Sequence, residues 1–509
     1  MEQSSFFKKT AVLTVSNVLT GTLTFIYTIF LSREMGAAGM GLYQLVTPVF
    51  ALFLCITGGG ITVTLSKIAA EKKASGKLHE LYKTVKIMCM FELVWSLMVT
   101  LFLIILSKVI ANNILSDSRT VLGIIAFCPA LIIISLSSVF KGTYYGLQRI
   151  LEPAIIDVIE KAIRIIMIFP LMALVKNMNL GIEYTTAAAM LVVSIGEIFS
   201  FILFFISYKI YIKNHPARGI CKSNRELVVS VLRLAIPLAL NGILSTIFSM
   251  ILTLLIPKRL MAGGVSYNEA ISLLGKLEGM TLTILFYPAI ILNAVCTVLI
   301  PSISEAVTSG KDYIINHRTN IAIKVASIVG FSSTVLILTR GGDIGIFFYK
   351  DSYVGYLLSL LSIPLPIVYI QIISFSILNG LGRQGSLLIN STLTSISDVI
   401  FIYIFLGIPT LAVKGYALNF LLSALFSIGL NFSVIRKSFK FKLDYMNCIV
   451  IPCLCAFSQY ALTSLLFSSI TNVPLIIVLY YLTYFILYLP FYFIAYKNKN
   501  IPNFTRKAS

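Results

Sequence analysis

The sequence predicts an all-α polytopic membrane protein of about 14 transmembrane helices. It places them as two six-helix lobes related by an internal repeat, plus two C-terminal helices. Three observations predict this. Of 509 residues, 58% are hydrophobic and 12% charged, with a mean hydropathy of +0.94; soluble domains are about 45–50% apolar and about 25% charged. Apolar runs recur along the whole chain, each long enough to cross about 30 Å of hydrocarbon. The runs are continuous rather than alternating, and lipid admits only helices or closed barrels, so the spans are helices.

In order, the expected spans cover 10–31, 42–66, 85–107, 120–140, 154–175, 184–208, 229–256, 272–300, 321–340, 353–377, 387–407, 411–434, 447–468 and 474–496. The first follows MEQSSFFKK with no obvious cleavage site and reads as a retained helix. Place the N-terminus inside, and the alternate loops on that side, with the span ends that adjoin them, hold about 27 Lys and Arg against about nine on the other. This asymmetry puts both termini in the cytoplasm. It also explains the net charge of +20 without nucleic acid. No loop is long enough for a soluble catalytic module.

Motifs recur at a near-constant spacing. GITVTLSKIAAEKKASGK (60–77) ends the second span and CTVLIPSISEAVTSGK (296–311) the eighth, with Ser66 set against Ser302. YYGLQR (144–149) follows the fourth span and LNGLGR (378–383) the tenth, which matches Gly146 with Gly380 and Arg149 with Arg383. LSREM (31–35) faces IPKRLM (256–261) at a smaller offset. The expected division is an N-lobe over 1–208, a basic linker over 209–228, a C-lobe over 229–434, and the last two helices with a basic tail over 435–509. An even helix count per lobe gives parallel repeats, a common frame for alternating access.

GAAGMGLYQLVTPVFALFLCITGGGITVTLSKIAAEKKASG (36–76) and TVLIPSISEA (297–306) resemble the stage V sporulation protein B group. That group lies in the polysaccharide-transporter branch of the multidrug/oligosaccharidyl-lipid/polysaccharide exporter superfamily. The resemblance implies a V-shaped pair of lobes that moves lipid-linked sugar precursors across the bacterial inner membrane for peptidoglycan, spore cortex or polysaccharide. One departure stands out. Lipid II flippases of the superfamily carry basic residues in their first two helices, whereas 10–31 and 42–66 here hold no charged residue.

The candidate site is the fifth span, AIIDVIEKAIRIIMIFPLMALV (154–175). Asp157, Glu160, Lys161 and Arg164 are spaced i, i+3, i+4, i+7 and form one stripe. Each charge at a helix centre costs about 2.5–3.5 kcal/mol on insertion scales, so the stripe turns inward to a hydrated, substrate-contacting cavity. The expected pairs are Asp157 with Lys161 and Glu160 with Arg164. An internal ladder holding helices together is the structural alternative. Lys276 and Glu278 in the eighth span are further substrate-binding candidates, facing different ways at i, i+2. Glu197 and Asp398 lie mid-span without a local partner and are candidates for a coupling Na⁺ or H⁺. Gly58, Gly59 and Gly60 serve either close helix approach or loosening of the second helix. Pro48, Pro129, Pro170, Pro237, Pro288, Pro364 and Pro366 are kink sites.

The eight cysteines lie in or beside spans apart from Cys221 in a basic loop, and three scattered histidines offer no metal site. There is no phosphate loop, no HExxH and no compact catalytic cluster. No cofactor is expected beyond the candidate ion. The function expected is export of a lipid-linked glycan precursor by a non-enzymatic flippase in the cell membrane. Its partners are the lipid-linked sugar, membrane lipids and cell-wall synthesis proteins. The alternatives are a multidrug cation antiporter on the same scaffold, a membrane glycan polymerase, and a non-transporting cell-wall scaffold.

Overall fold

In the computed structural model, described over residues 2–217, 219, 223–411, 413–466, 470 and 472–499, the described residues form helices and no strand. The first half holds α1 (Glu2–Gly58), α2 (Ile61–Ala74), α3 (Leu78–Val109, continued by a π turn Ile110–Ile114), α4 (Thr120–Gly146), α5 (Leu151–Asn177), α6 (Ile182–Asn214) and α7 (Asn224–Ala262). Then come α8 (Tyr267–Leu274), a π-helical stretch Gly275–Thr281, α9 (Leu282–Phe286), α10 (Ala289–Thr308), α11 (Asp312–Tyr349), α12 (Ser352–Ser362) and α13 (Leu365–Gly380). The chain ends with α14 (Gln384–Phe405), α15 (Val413–Ser438), α16 (Ile451–Leu466, after a π turn Met446–Val450) and α17 (Val473–Lys499). Cys221 lies outside the described residues; the other seven cysteines form no disulfide with one another.

Glycine and proline set the breaks, and some fall where the sequence reading had none. The loop expected between the first two spans is helical, with one break at Gly36 (φ 69°), a conformation that glycine alone adopts cheaply. The expected span 42–66 is interrupted at Gly59–Gly60. Both readings of these glycines hold: Gly60 takes φ 77°, and a Cβ there would lie 2.6 Å from Ala235 O of α7. The expected spans 272–300 and 353–377 are each broken, at Tyr287–Pro288 and at Ile363–Pro364, the second with a 62° bend. Pro48, Pro129, Pro170 and Pro237 sit inside continuous helices.

Eleven segments of the described residues are long and apolar enough to cross a membrane, twelve when α12 and α13 count as one bent span. The first, Thr14–Ala74, has 61 residues, the length of two crossings at about 1.5 Å per residue. Helix α5 stands apart from these only because its charged stripe lowers its apolar character. With those two adjustments the structure accommodates the fourteen expected spans.

By internal contact the chain forms two compact units, residues 1–280 and 281–509. The first is cored by Leu65, Phe140, Tyr144 and Phe204 in one cluster and by Val46, Phe127 and Leu131 in another. Within it, α1 packs on α4, α5, α7 and α8. In the second, Leu357, Leu358 and Tyr369 are fully buried, and Tyr369 donates to Leu285 O at 2.6 Å.

The internal repeat is visible bond by bond at a constant offset of 234 residues. After α2, the N–H groups of Ser75, Gly76 and Lys77 return to the carbonyls of Glu71, Lys73 and Lys72; after α10, Ser309, Gly310 and Lys311 return to Glu305, Val307 and Ala306. After α4, Leu147, Gln148 and Arg149 return to Thr143, Tyr145 and Tyr144; after α13, Leu381, Gly382 and Arg383 return to Ile377, Asn379 and Leu378. Each turn includes the six-to-one bond of a Schellman cap. Gly146 closes on Ser66 and Ala69, and Gly380 on Ile300 and Ile303. Ser66 therefore corresponds to Ile300, and the Ser66–Ser302 match is corrected by two residues.

The same offset describes a reciprocal crossing inside the first unit. A Cβ on Gly41 of α1 would fall on Ile271 O of α8, and a Cβ on Gly275 would fall on Ala37 O. Residues 37 and 41 map onto 271 and 275, so equivalent stretches of the two repeats meet backbone to backbone. Small residues at such a crossing are what let two membrane helices approach this closely.

Candidate functional site

The stripe on α5 faces other helices and forms a network across three of them. Lys141 of α4 donates to Asp157 at 2.6 and 2.9 Å. Lys161 lies 2.9 Å from Glu160. Arg164 forms an ion pair with Glu160 one turn back and donates to Glu197 of α6 at 2.6 Å. The expected Asp157–Lys161 pair does not form, because α4 brings Lys141 to Asp157. Nor is Glu197 without a partner: α6 places it on Arg164. The expected Glu160–Arg164 pair is present.

Exposure falls along the stripe. The side chains of Lys141 and Asp157 are 31% and 30% exposed, those of Arg164 and Glu160 13% and 5%. Three cations and three carboxylates balance, so the network carries no net charge in its ionised form. Fully paired ions meet the main cost of burial, which falls on an isolated charge. Two further residues complete the site, and neither was visible from the stripe. Gly196 of α6 leaves room for the guanidinium, since a Cβ there would lie 2.8 Å from Arg164 Cγ and 3.1 Å from Glu160 Oε1. Tyr27 of α1 is buried, its hydroxyl has no hydrogen-bond partner among the described residues, and it lies within electrostatic reach of Arg164 and Glu160.

The other candidates lie elsewhere. Glu278 is on the π-helical stretch and accepts from Thr253 of α7 at 3.3 Å; Lys276 is half-buried two residues before it. Asp398 of α14 has the polar side chains of Ser423 and Asn419 of α15 close by. Nearby, Asn390 donates to Asn431 at 2.9 Å and Asn431 to Ser374 at 2.9 Å, a buried polar chain that sequence reasoning did not single out. The turns at Arg149 and Arg383 lead directly into α5 and α14, so Arg164 corresponds to Asp398 at the 234-residue offset. Each repeat thus holds an ionisable residue at the same level of the same helix, with opposite sign. That match was readable once the register was known. Among the described residues, no group of three or more His, Cys, Asp or Glu is placed to hold a metal.

Two repeats of bent helices, each with an ionisable residue at the equivalent place, are the frame of an alternating-access transporter class. The solved structures agree. The chain superposes on "Lipid II flippase MurJ, inward closed conformation" with a TM-score of 0.70 at 16% identity, covering 95% of this chain and 98% of that one. It superposes on an inward-facing multidrug resistance MATE family transporter of the MOP superfamily with a TM-score of 0.64 at 14% identity, covering 82% and 95%. The fold is that of the multidrug/oligosaccharidyl-lipid/polysaccharide exporters.

Within that class, the chain belongs to the polysaccharide biosynthesis protein family, which it matches over residues 6–307. It is 26% identical over 473 residues to stage V sporulation protein B of Bacillus subtilis (strain 168), covering 91% of this chain and 90% of that protein. It is 23% identical over 405 residues to the lipid II flippase MurJ of the same organism, covering 75% and 74%.

Proposed function

We propose that this protein is a flippase that exports a lipid-linked glycan precursor across the bacterial inner membrane by alternating access, with both termini cytoplasmic. The observation that carries the reading is the charge-balanced network of Lys161, Glu160, Arg164 and Glu197, set within the membrane part of a polysaccharide-family exporter fold. In this reading the N-lobe is 1–208 and the C-lobe 229–434. Arg164 is the diphosphate-binding residue. Its planar fork matches a phosphate oxygen pair in a way that lysine does not. Glu160 and Glu197 hold the guanidinium between cycles, and loading exchanges a carboxylate for phosphate oxygens. Lys161, Asp157, Lys276 and Glu278 are secondary substrate contacts. Asp398, with Asn419 and Ser423, offers hard oxygen ligands of the kind that suit a small cation, and we assign it the coupling Na⁺ or H⁺. Because the network has no net charge, an anionic substrate is drawn in by local exchange at Arg164 and not by a basic field.

Purified protein in liposomes, loaded in turn with lipid II and with other lipid-linked sugars, tests this reading. It should translocate at least one of them, and should leave hydrophobic organic cations untransported. Cation transport without glycolipid movement would make the protein a multidrug antiporter instead.

A further inference from the structure

Toward the Arg149 end of α5, away from Arg164 along the helix, a groove runs between α5 and α6. It encloses about 380 Å³ and starts at the basic ends of the two helices. Its walls are apolar: Ile155 on α5 and Ile206 and Ile210 on α6 are each about half exposed. Its head is polar. Arg149 sits over the Tyr211 ring at 5.1 Å and pairs with Glu152. Lys209 and Lys213 stand exposed on the adjoining turns of α6. Arg149 at the head, two lysines exposed on the neighbouring turns just outside it, and isoleucine walls for the rest describe an amphiphile site with an anionic head. From Leu203 to Asn214 the α6 wall is about 16 Å long at about 1.5 Å per residue, enough for a headgroup and the upper part of an acyl chain. The wall isoleucines stay half exposed, as suits a ligand that arrives from the bilayer and not from water.

We propose that this groove binds an anionic glycerophospholipid, with its phosphate on Arg149 and one acyl chain between Ile155 and Ile206. On the orientation proposed above, the lipid belongs to the cytoplasmic leaflet. Bound there, it braces α5 against α6, the helix that pairs Arg164. Glu152 competes with the phosphate for Arg149, so it tunes the affinity downward.

Native mass spectrometry of the full chain, with phosphatidylglycerol or phosphatidylethanolamine added to the detergent, tests the site without any transport step. A failure here is therefore separate from a failure of the flippase reading. Phosphatidylglycerol adducts should be retained several-fold more than phosphatidylethanolamine adducts. Arg149→Gln should lower that retention about tenfold, and Ile206→Trp, which fills an exposed wall, should do the same. Glu152→Gln should raise it, a gain that a purely structural ion pair would not give. Arg383→Gln, at the equivalent turn of the other repeat, should leave it unchanged. Equal retention of the two lipids, or retention insensitive to both Arg149→Gln and Ile206→Trp, would overturn the proposal. So would displacement by equimolar undecaprenyl phosphate, which would assign the groove to a polyprenyl carrier.

Discussion

Arg164 is gripped by carboxylates from two helices, so its loss and the loss of the whole set have different consequences. Removing one partner of a buried ion pair costs about 3–5 kcal/mol, because it strands the other charge. Arg164→Ala should therefore lower the melting temperature in detergent and abolish flipping in liposomes. Arg164→Lys keeps the charge but loses the planar fork, so transport should fall while expression holds. Glu160→Gln, Lys161→Gln, Arg164→Gln and Glu197→Gln together leave no stranded charge; that variant should melt near the wild type and still fail to transport. If it flips substrate normally, the network is only a brace.

Asp117, in the loop between α3 and α4, offers a second residue-level test. It accepts from Arg119 at 2.7 Å and from the Tyr267 hydroxyl of α8 at 2.8 Å. Burial would raise its carboxyl, but the hydrogen bonds from Arg119 and Tyr267 outweigh burial and hold it below its ordinary value. A depressed folded value means that the stabilisation is complete above the unfolded value of about 3.9. It is lost as pH falls through the lower folded value. Thermal melts should show a wild-type advantage over Asp117→Asn that is constant from about pH 5 to 8 and shrinks below about pH 4. An advantage that grows on acidification would refute the assignment.

At the scale of elements, the crossing of α1 and α8 depends on Gly41 and Gly275, each with a carbonyl where a side chain would begin. Overpacking a fitted contact costs about 1–3 kcal/mol. Gly41→Leu and Gly275→Leu should each lower the melting temperature by similar amounts, as the reciprocal geometry requires. Gly342→Ala has open space beside it and should be near neutral. Unequal losses at the two glycines would argue against a symmetric crossing. Helix existence was legible from composition and period, because a run of apolar residues in lipid has no alternative that pairs its backbone. The breaks were less so. Pro288 and Pro364 interrupt their helices while Pro129 and Pro237 do not, since neighbouring helices decide whether a lost hydrogen bond becomes a break. The charged stripe on α5 was legible as a face. Its pairing was legible only for Glu160 with Arg164, because i, i+4 logic sees only one helix, and Lys141, Gly196 and Glu197 come from α4 and α6.

For the whole molecule, the basic loops predict which side each one faces. In a background without native cysteines, Ser75→Cys and Ser223→Cys should be shielded from an impermeant thiol reagent in intact cells, and Ser118→Cys should react. Labelling at Ser75 from outside would reverse the proposed orientation and with it the leaflet assigned to the α5–α6 groove. The sequence by itself determined that this chain lives in a membrane, that it is helical, that it is duplicated, and that α5 carries ions which lipid does not accept. Those follow from composition, period and transfer cost, which are properties of single segments. Only the tertiary structure decided the 234-residue register, the partners of each ion and the glycine crossing. Each of these depends on which helices lie side by side, and a buried charge or a missing Cβ takes its meaning from the neighbour opposite it.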